Sequence, residues 1–266
     1  MKIIDCFTYF DEDVILKIRL NILYNVVDKF IISEGGYDHR GNKRKYNFKI
    51  ENFKEFADKI IYLTVDKFPN LNDPWAMLKF QRNYCNDLLI KKFNPDDYII
   101  VSDADEIPNP LKILDFIDKK YKIGVFEQLM FYYKLNLLNS SSPLWHGSKI
   151  CKLKNLKNPE WLRAYKSKQY SWWRLDKPSN LKIIKKGGWH FSFLYDVNGI
   201  IKKISSYQHT EFDIDKIKNK KTIENKINNN LDIFNRNFKY KAIILDNRFP
   251  NYILENRKQL QKWISG

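Results

Sequence analysis

Cysteine is scarce in this chain. Cys6, Cys85 and Cys151 are odd in number and widely spaced, which excludes a disulfide framework and any paired-cysteine zinc spacing and points to reduced thiols in a reducing compartment. Long apolar runs are missing too. The opening MKIIDCFTYFDED is broken by Asp5 and closes on an acidic cluster, so it reads as neither a secretory signal nor a membrane anchor. No later run reaches bilayer-spanning length. The expected location is therefore cytoplasmic, with peripheral contact at the inner face of a membrane as a further expectation. Also absent are a Walker A glycine loop, a serine-centred elbow and an H-E-x-x-H pair, as are internal repeats and a flexible linker. Acidic residues are in deficit: 31 Asp and Glu face 47 Lys and Arg, a net charge of +16. So basic a balance suits an anionic partner such as a nucleotide, a nucleic acid or an anionic membrane. Lys, Asn and Ile are abundant everywhere, as an AT-rich genome would give, so many lysines read as plain solvated surface. The basic residues are spread along the chain and no nucleic-acid motif stands out, so a nucleic-acid partner is not expected.

What is present is a globular composition, 44% hydrophobic and 15% aromatic over 266 residues, enough to bury a substantial core. Strand and helix signals alternate through the first hundred residues. KIIDCF, KFIISEG, IIYLTVD and DDYIIVSDAD are short apolar strands. DEDVILKIRLNILYNVV, IENFKEFADK and PWAMLKFQRNYCNDLLIKKF are helices between them, the first with Val14, Ile18, Ile22 and Val26 at helical spacing and Asp11 as its N-cap. This predicts an α/β fold with a mostly parallel sheet flanked by helices. Beyond it, longer strands are expected at 121–138 and 143–153, an irregular aromatic and basic stretch at 154–180, a strand, Gly-Gly turn and second strand over 181–194, and helices at 198–207, 213–234 and 251–265. The expected organisation is a single domain over 1–266, with a nucleotide-binding half at 1–106, an acceptor-side half at 107–212 and a helical C-terminal extension at 213–266.

The stretch IIVSDADEIPNP, residues 99–110, runs an apolar strand straight into Asp103, Asp105 and Glu106. Like charges so close repel, and something has to offset that cost. In open α/β sheets ligands bind outside the carboxyl ends of the strands, and Asp103 and Asp105 stand there with the period-two spacing that lets two side chains point the same way. Two carboxylates on one side suit a hard divalent cation, Mn²⁺ or Mg²⁺, with positions left for a diphosphate. The alternative is an acidic cap on the helix that follows Pro110.

Five blocks, FDEDVILKIRLNILYNVVDKFIISEGGYDHRG, FQRNY, DDYIIVSDADEIP, GGWHFSF and ISSYQHTEF, occur in this order between about residues 3 and 213. As a set they resemble glycosyltransferase family 17. The resemblance implies a GT-A-like fold, a nucleotide-sugar donor (UDP-GlcNAc for N-acetylglucosaminyl transfer), a divalent metal and inversion at the anomeric carbon. The acceptor it implies is a glycan, on a glycoprotein, a lipid carrier or a surface polysaccharide. Rival readings are transfer from another nucleotide sugar, a metal-dependent phosphotransferase or hydrolase, and a non-enzymatic basic nucleic-acid-binding protein.

Under that resemblance the donor lies across the first strands. Phe7, Thr8 and Tyr9 follow strand one as base and ribose contacts. Glu34 either accepts from the nucleotide or ties down the GGYDHRG loop. Arg82 offers a guanidinium fork to phosphate, or to Asp103 or Asp105. Asp103, Asp105 and His190 are the expected metal ligands, Asp103 doubling as a donor contact, with His209 as a further metal or diphosphate contact. The base that deprotonates the acceptor hydroxyl is sought among Glu211, Asp176, Glu127 and Asp213, Glu211 first. Trp172, Trp173 and Trp189, with PLWHG at 143–147, offer aromatic platforms for a sugar, or else belong to the core.

Overall fold

The computed structural model describes residues 1–167, 181–206 and 215–266. Ten described strands form one sheet. β1 (Ile3–Tyr9) lies between β2 (Lys29–Gly35) and β4 (Tyr98–Asp103), parallel to both, and β3 (Ile60–Val65) extends this parallel half beyond β2. The direction then reverses. β8 (Leu144–Lys152) runs antiparallel to β4, and β6 (Ile123–Tyr132) runs antiparallel to β8. β9 (Leu181–Ser192) is parallel to β6 and carries the short β5 (Glu106–Pro108) antiparallel on its far side. β7 (Leu137–Asn139) and β10 (Tyr240–Ala242) finish the sheet.

The strands of the parallel half are apolar without a break because both of their faces are covered. Alternate residues of β1 enter different cores. Ile3, Phe7 and Tyr9 join Ile15, Leu16 and Leu20 of α1 (Asp13–Leu23), Ile113 and Phe116 of α4 (Pro110–Asp118) and Ile253 of α9 (Asn251–Glu255). Ile4 and Cys6 join Leu89 of α3 (Asn86–Lys92) and Leu162 of α5 (Pro159–Ala164) on the other side. The expected α/β architecture with a largely parallel sheet is therefore what the chain adopts.

Several elements differ from expectation. The helical pattern of 74–93 is split into α2 (Pro74–Asn83) and α3. The strand, Gly-Gly turn and second strand expected over 181–194 are instead the single strand β9, Leu181–Ser192. The tail expected as one helix over 251–265 is α9 followed by a single 3₁₀ turn, Gln261–Trp263. Helix 213–234 is represented by α7 (Asp215–Lys218) and α8 (Lys220–Asn228), separated where Asn219 turns to accept the Thr222 amide as an N-cap. The C-terminal segment is not purely helical, since it lends β10 to the sheet. Helix α1 buries Ile15, Leu16, Ile18, Arg19, Leu20 and Leu23, a stripe rotated away from Val14, Ile22 and Val26. Asp11 does not cap it; the Glu12 carboxylate binds the Phe10 and Asp11 amides instead.

Candidate active site

The three crowded carboxylates lie at the carboxyl end of β4, and each meets cations supplied by other elements. Asp103 ends the strand, and the chain turns at Ala104 and Asp105, which breaks the period-two alternation. Asp103 and Asp105 consequently take different partners, contrary to the shared direction expected of them. Asp103 faces α2 and α5. Arg82 Nη2 meets its Oδ1 at 3.0 Å and Arg163 Nη2 its Oδ2 at 2.9 Å. Burial works against the charge on Asp103, but Arg163 and Arg82 outweigh it and hold the carboxyl well below its usual range. Arg82 is buried and also pairs with Glu160.

Asp105 faces β9 and α6 (Val197–Ser206). His190 Nε2 and Lys203 Nζ each stand 3.5 Å from its carboxylate oxygens. Burial raises the Asp105 carboxyl, yet Lys203 and His190 prevail and lower it to about 2. Burial would likewise discharge His190 and Lys203; the Asp105 carboxylate reverses that and raises both. Glu12, whose carboxyl burial pushes up, is a further neighbour of Lys203.

Glu106 is fully buried. Its Oε1 accepts from Arg163 Nη2 and from Trp145 Nε1, both at 2.7 Å, and its Oε2 accepts the Asp103 amide at 3.2 Å. The carboxylates are not a helix cap, because Asn109 caps α4 by accepting the Leu111 amide. The repulsion is thus offset by the protein's own arginines, lysine and histidine.

The loop is also held from beneath. Arg19 of α1 is fully buried and paired through two nitrogens with the equally buried Asp5, at 2.8 and 2.7 Å. Its Nη1 donates to the carbonyls of Asp103, Ala104 and Glu106, at 3.2, 3.2 and 2.7 Å. One guanidinium therefore pins the backbone that carries all three carboxylates. Trp145 stands beside His190, ring centroids 5.3 Å apart, and is still 40% exposed. Gly147, two residues on, has to be glycine, since a Cβ there would lie 1.9 Å from Gln128 Oε1.

Other expected site residues fall elsewhere. Phe7 is buried beneath the Arg19 guanidinium, 4.4 Å from its ring centroid, and Tyr9 is buried with its hydroxyl on Asp13; neither presents its ring to a nucleotide. Thr8 is half-buried, paired with Asp103 in the β1–β4 register. Glu34 is fully buried, and its two oxygens accept from Arg44, Tyr62 and the amides of Asn47 and Phe48 at 2.7–3.0 Å. It ties the loop down. Glu34→Gln should lower stability by about 3 kcal/mol, the cost of stranding a buried partner charge, read as a fall in melting temperature of about 6 °C or more. Lower UDP affinity with an unchanged melting temperature would mean a nucleotide contact instead. Trp189 is a core residue, 5% exposed, its Nε1 donating to the Arg248 carbonyl at 2.9 Å, so its faces are packed and unavailable to a sugar. Asp176, Trp172, Trp173, His209, Glu211 and Asp213 lie outside the described residues. Glu127 is paired with His146 at 3.6 Å.

Arg163, Lys203 and Arg19 were not anticipated. Arg163 falls in the stretch read as irregular, and Lys203 is one basic residue among 47. Arg19 did leave a signal, a charge on the same helical stripe as Ile15, Leu16 and Leu23.

Asp105 and His190 join a carboxylate oxygen and an imidazole nitrogen, a donor set suited to Mn²⁺ or a similar cation. His190 Nδ1 is buried with no hydrogen-bond partner among the described residues. Both oxygens of Asp103 are already taken by guanidinium groups, which makes Asp103 a less apt ligand than expected. Among the described residues no three His, Cys, Asp or Glu side chains converge as a metal site.

A sheet with carboxylates and guanidinium groups gathered at the carboxyl ends of its parallel strands marks the α/β proteins that bind ligands at that edge. A sequence profile of glycosyltransferase family 17 matches residues 1–247, and the chain belongs to that family. It is similar to the β-1,4-mannosyl-glycoprotein 4-β-N-acetylglucosaminyltransferases of Rattus norvegicus, at 24% identity, and Homo sapiens, at 23%. Each match runs over 242 residues and covers 79% of this chain and 44% of the relative, so the chain spans less than half the length of these curated relatives. Among solved structures, glucosyl-3-phosphoglycerate synthase from Mycobacterium tuberculosis, in complex with Mn²⁺, UDP and phosphoglyceric acid, aligns at TM-score 0.30 and 10% identity over 57% of this chain and 56% of that one. A197 from STIV aligns at TM-score 0.28 and 10% identity over 64% and 72%. No described helix is long and apolar enough to cross a membrane.

Proposed function

We propose that this protein moves a sugar, GlcNAc from UDP-GlcNAc, onto a glycan acceptor with inversion, in a GT-A-like arrangement. The observation that carries this reading is Asp105 beside His190, at the strand end where α/β proteins take their ligands. Asp105 and His190 would hold a divalent cation, which when bound neutralises charge on a departing diphosphate. Arg82, Arg163 and Lys203 supply further positive charge around the carboxylates. In an inverting transfer the acceptor hydroxyl attacks the anomeric carbon, the bond to the diphosphate oxygen breaks, and the hydroxyl proton passes to a carboxylate, for which Glu211 and Asp176 remain the candidates.

Trp145 is the sugar platform this reading favours. Its Nε1 bond to buried Glu106 fixes the indole, and much of the ring is open. Trp145→Ala should leave UDP affinity unchanged while weakening glycan binding on an array by roughly tenfold, the equivalent of about 1.4 kcal/mol. Equal glycan binding by both proteins would remove Trp145 from the acceptor site.

The reading is tested by calorimetric titration of UDP, UDP-GlcNAc and GDP-mannose with and without Mn²⁺. Metal-dependent binding of the uridine ligands and none of GDP-mannose is expected. Preference for GDP-mannose would reassign the donor, and no nucleotide binding under any condition would end the transferase reading of this site.

A further inference from the structure

Helix α4 leaves the site region with an apolar face that no described element covers. Ile113, Phe116 and Ile117 are buried inward, while Leu111 is 70% and Leu114 42% exposed, one helical turn apart on the outer side. Single exposed leucines are ordinary. These two are adjacent, and the charges around them are mostly of one sign. Asn109, the α4 cap, accepts no space from β9: its amide donates to the Gly187 carbonyl at 2.7 Å and its side chain to the Lys186 carbonyl at 3.4 Å. That sets the exposed Lys185 and Lys186 at the start of the helix. At the other end Lys182 lies 5.3 Å from the Tyr121 ring, next to exposed Lys119 and Lys120. Of the helix's two aspartates, Asp115 is already paired with Lys112 at 2.6 Å. Lysines do guard open strand edges against pairing, and that accounts for Lys182. It does not account for two leucines held out in water between the basic groups.

We propose that this face of α4, with the adjoining lysines of β9, seats the protein on an anionic bilayer. Apolar side chains that enter the headgroup region and lysines that meet its negative surface are the two parts of an interfacial contact. Glu106 lies three residues before Asn109, so the seat is about 10 Å of extended backbone from the site carboxylates. The inference is independent of which donor or acceptor the enzyme uses.

The test is co-sedimentation of the full chain with vesicles of phosphatidylcholine alone and of phosphatidylcholine mixed with phosphatidylglycerol. Binding to the mixed vesicles should be tighter by about tenfold or more and should weaken with salt. Leu111→Ser/Leu114→Ser and Lys185→Ala/Lys186→Ala should each lower it by about tenfold. Lys91→Ala/Lys92→Ala, on α3 at the opposite face of the sheet, should not. All six positions are solvent-accessible, so circular dichroism should report an intact fold in each variant. Equal binding to both vesicles overturns the proposal, as does an α3 variant that loses as much as the α4 variants. A solution dimer that Leu111→Ser/Leu114→Ser dissociates would assign the face to a second copy and also overturn it.

Discussion

Arg19→Met is expected to leave no stably folded protein. The guanidinium is the sole described cation bonded to Asp5, and both groups are fully buried. Removing one member of a buried pair costs about 3–5 kcal/mol. The carbonyls of Asp103 and Ala104 lose this donor as well, while that of Glu106 keeps the Ser148 hydroxyl at 2.9 Å, and each buried group left unsatisfied adds about 1–3 kcal/mol. The sum rivals the roughly 5–15 kcal/mol by which domains are stable. Arg19→Lys should fare little better, since an ammonium cannot hold a carboxylate in a fork and reach three carbonyls at once. The double variant Arg19→Met/Asp5→Leu removes both charges and should recover part of the stability. Its 103–106 loop would still lack its clamp, so nucleotide binding should stay impaired. Soluble yield, thermal melts and UDP titration read these outcomes. A single Arg19→Met protein melting within about 2 °C of wild type would show that the clamp is dispensable.

Asp105→Asn is expected to do the reverse, keeping the fold and losing the site. The amide has the shape of the carboxylate but no charge, and the pull of Asp105 that raises His190 against its burial goes with it. Lys203 keeps Glu12 as a neighbour. The melting temperature should therefore fall by only about 2–4 °C. Loss of even an outer partner of a metal ligand costs about 10–100-fold in metal affinity, and loss of a ligand should cost at least about 100-fold in Mn²⁺-dependent UDP binding. Asp103→Asn makes the contrast. Its oxygens serve Arg82 and Arg163, so it should lower stability more and metal affinity less than Asp105→Asn. If the two variants behave in the opposite order, Asp103 is the metal ligand and Asp105 the structural partner.

The order of strands and helices in the first hundred residues was legible because burial on both faces demands unbroken apolar strands, as in Ile99–Val101, and because such strands recur between helical patterns. The position of the site was legible for the same reason: a buried strand that ends in Asp103, Asp105 and Glu106 has to deliver them at the sheet's carboxyl edge. Family membership was also in the sequence, since five ordered blocks carry it. What each carboxylate binds was not. Arg163 and Lys203 come from α5 and α6, 60 and 98 positions from their partners, and only the folded chain brings them together. Local spacing predicted that Asp103 and Asp105 would share a side; the turn after β4 sends them to different neighbours. Trp145 and Trp189 look alike in sequence, yet one strand exposes its indole beside His190 and the other packs it under the Arg248 carbonyl. Composition and periodicity determine which stretches are buried. Which charge answers which depends on contacts between residues far apart in the chain, and those exist only once it has folded.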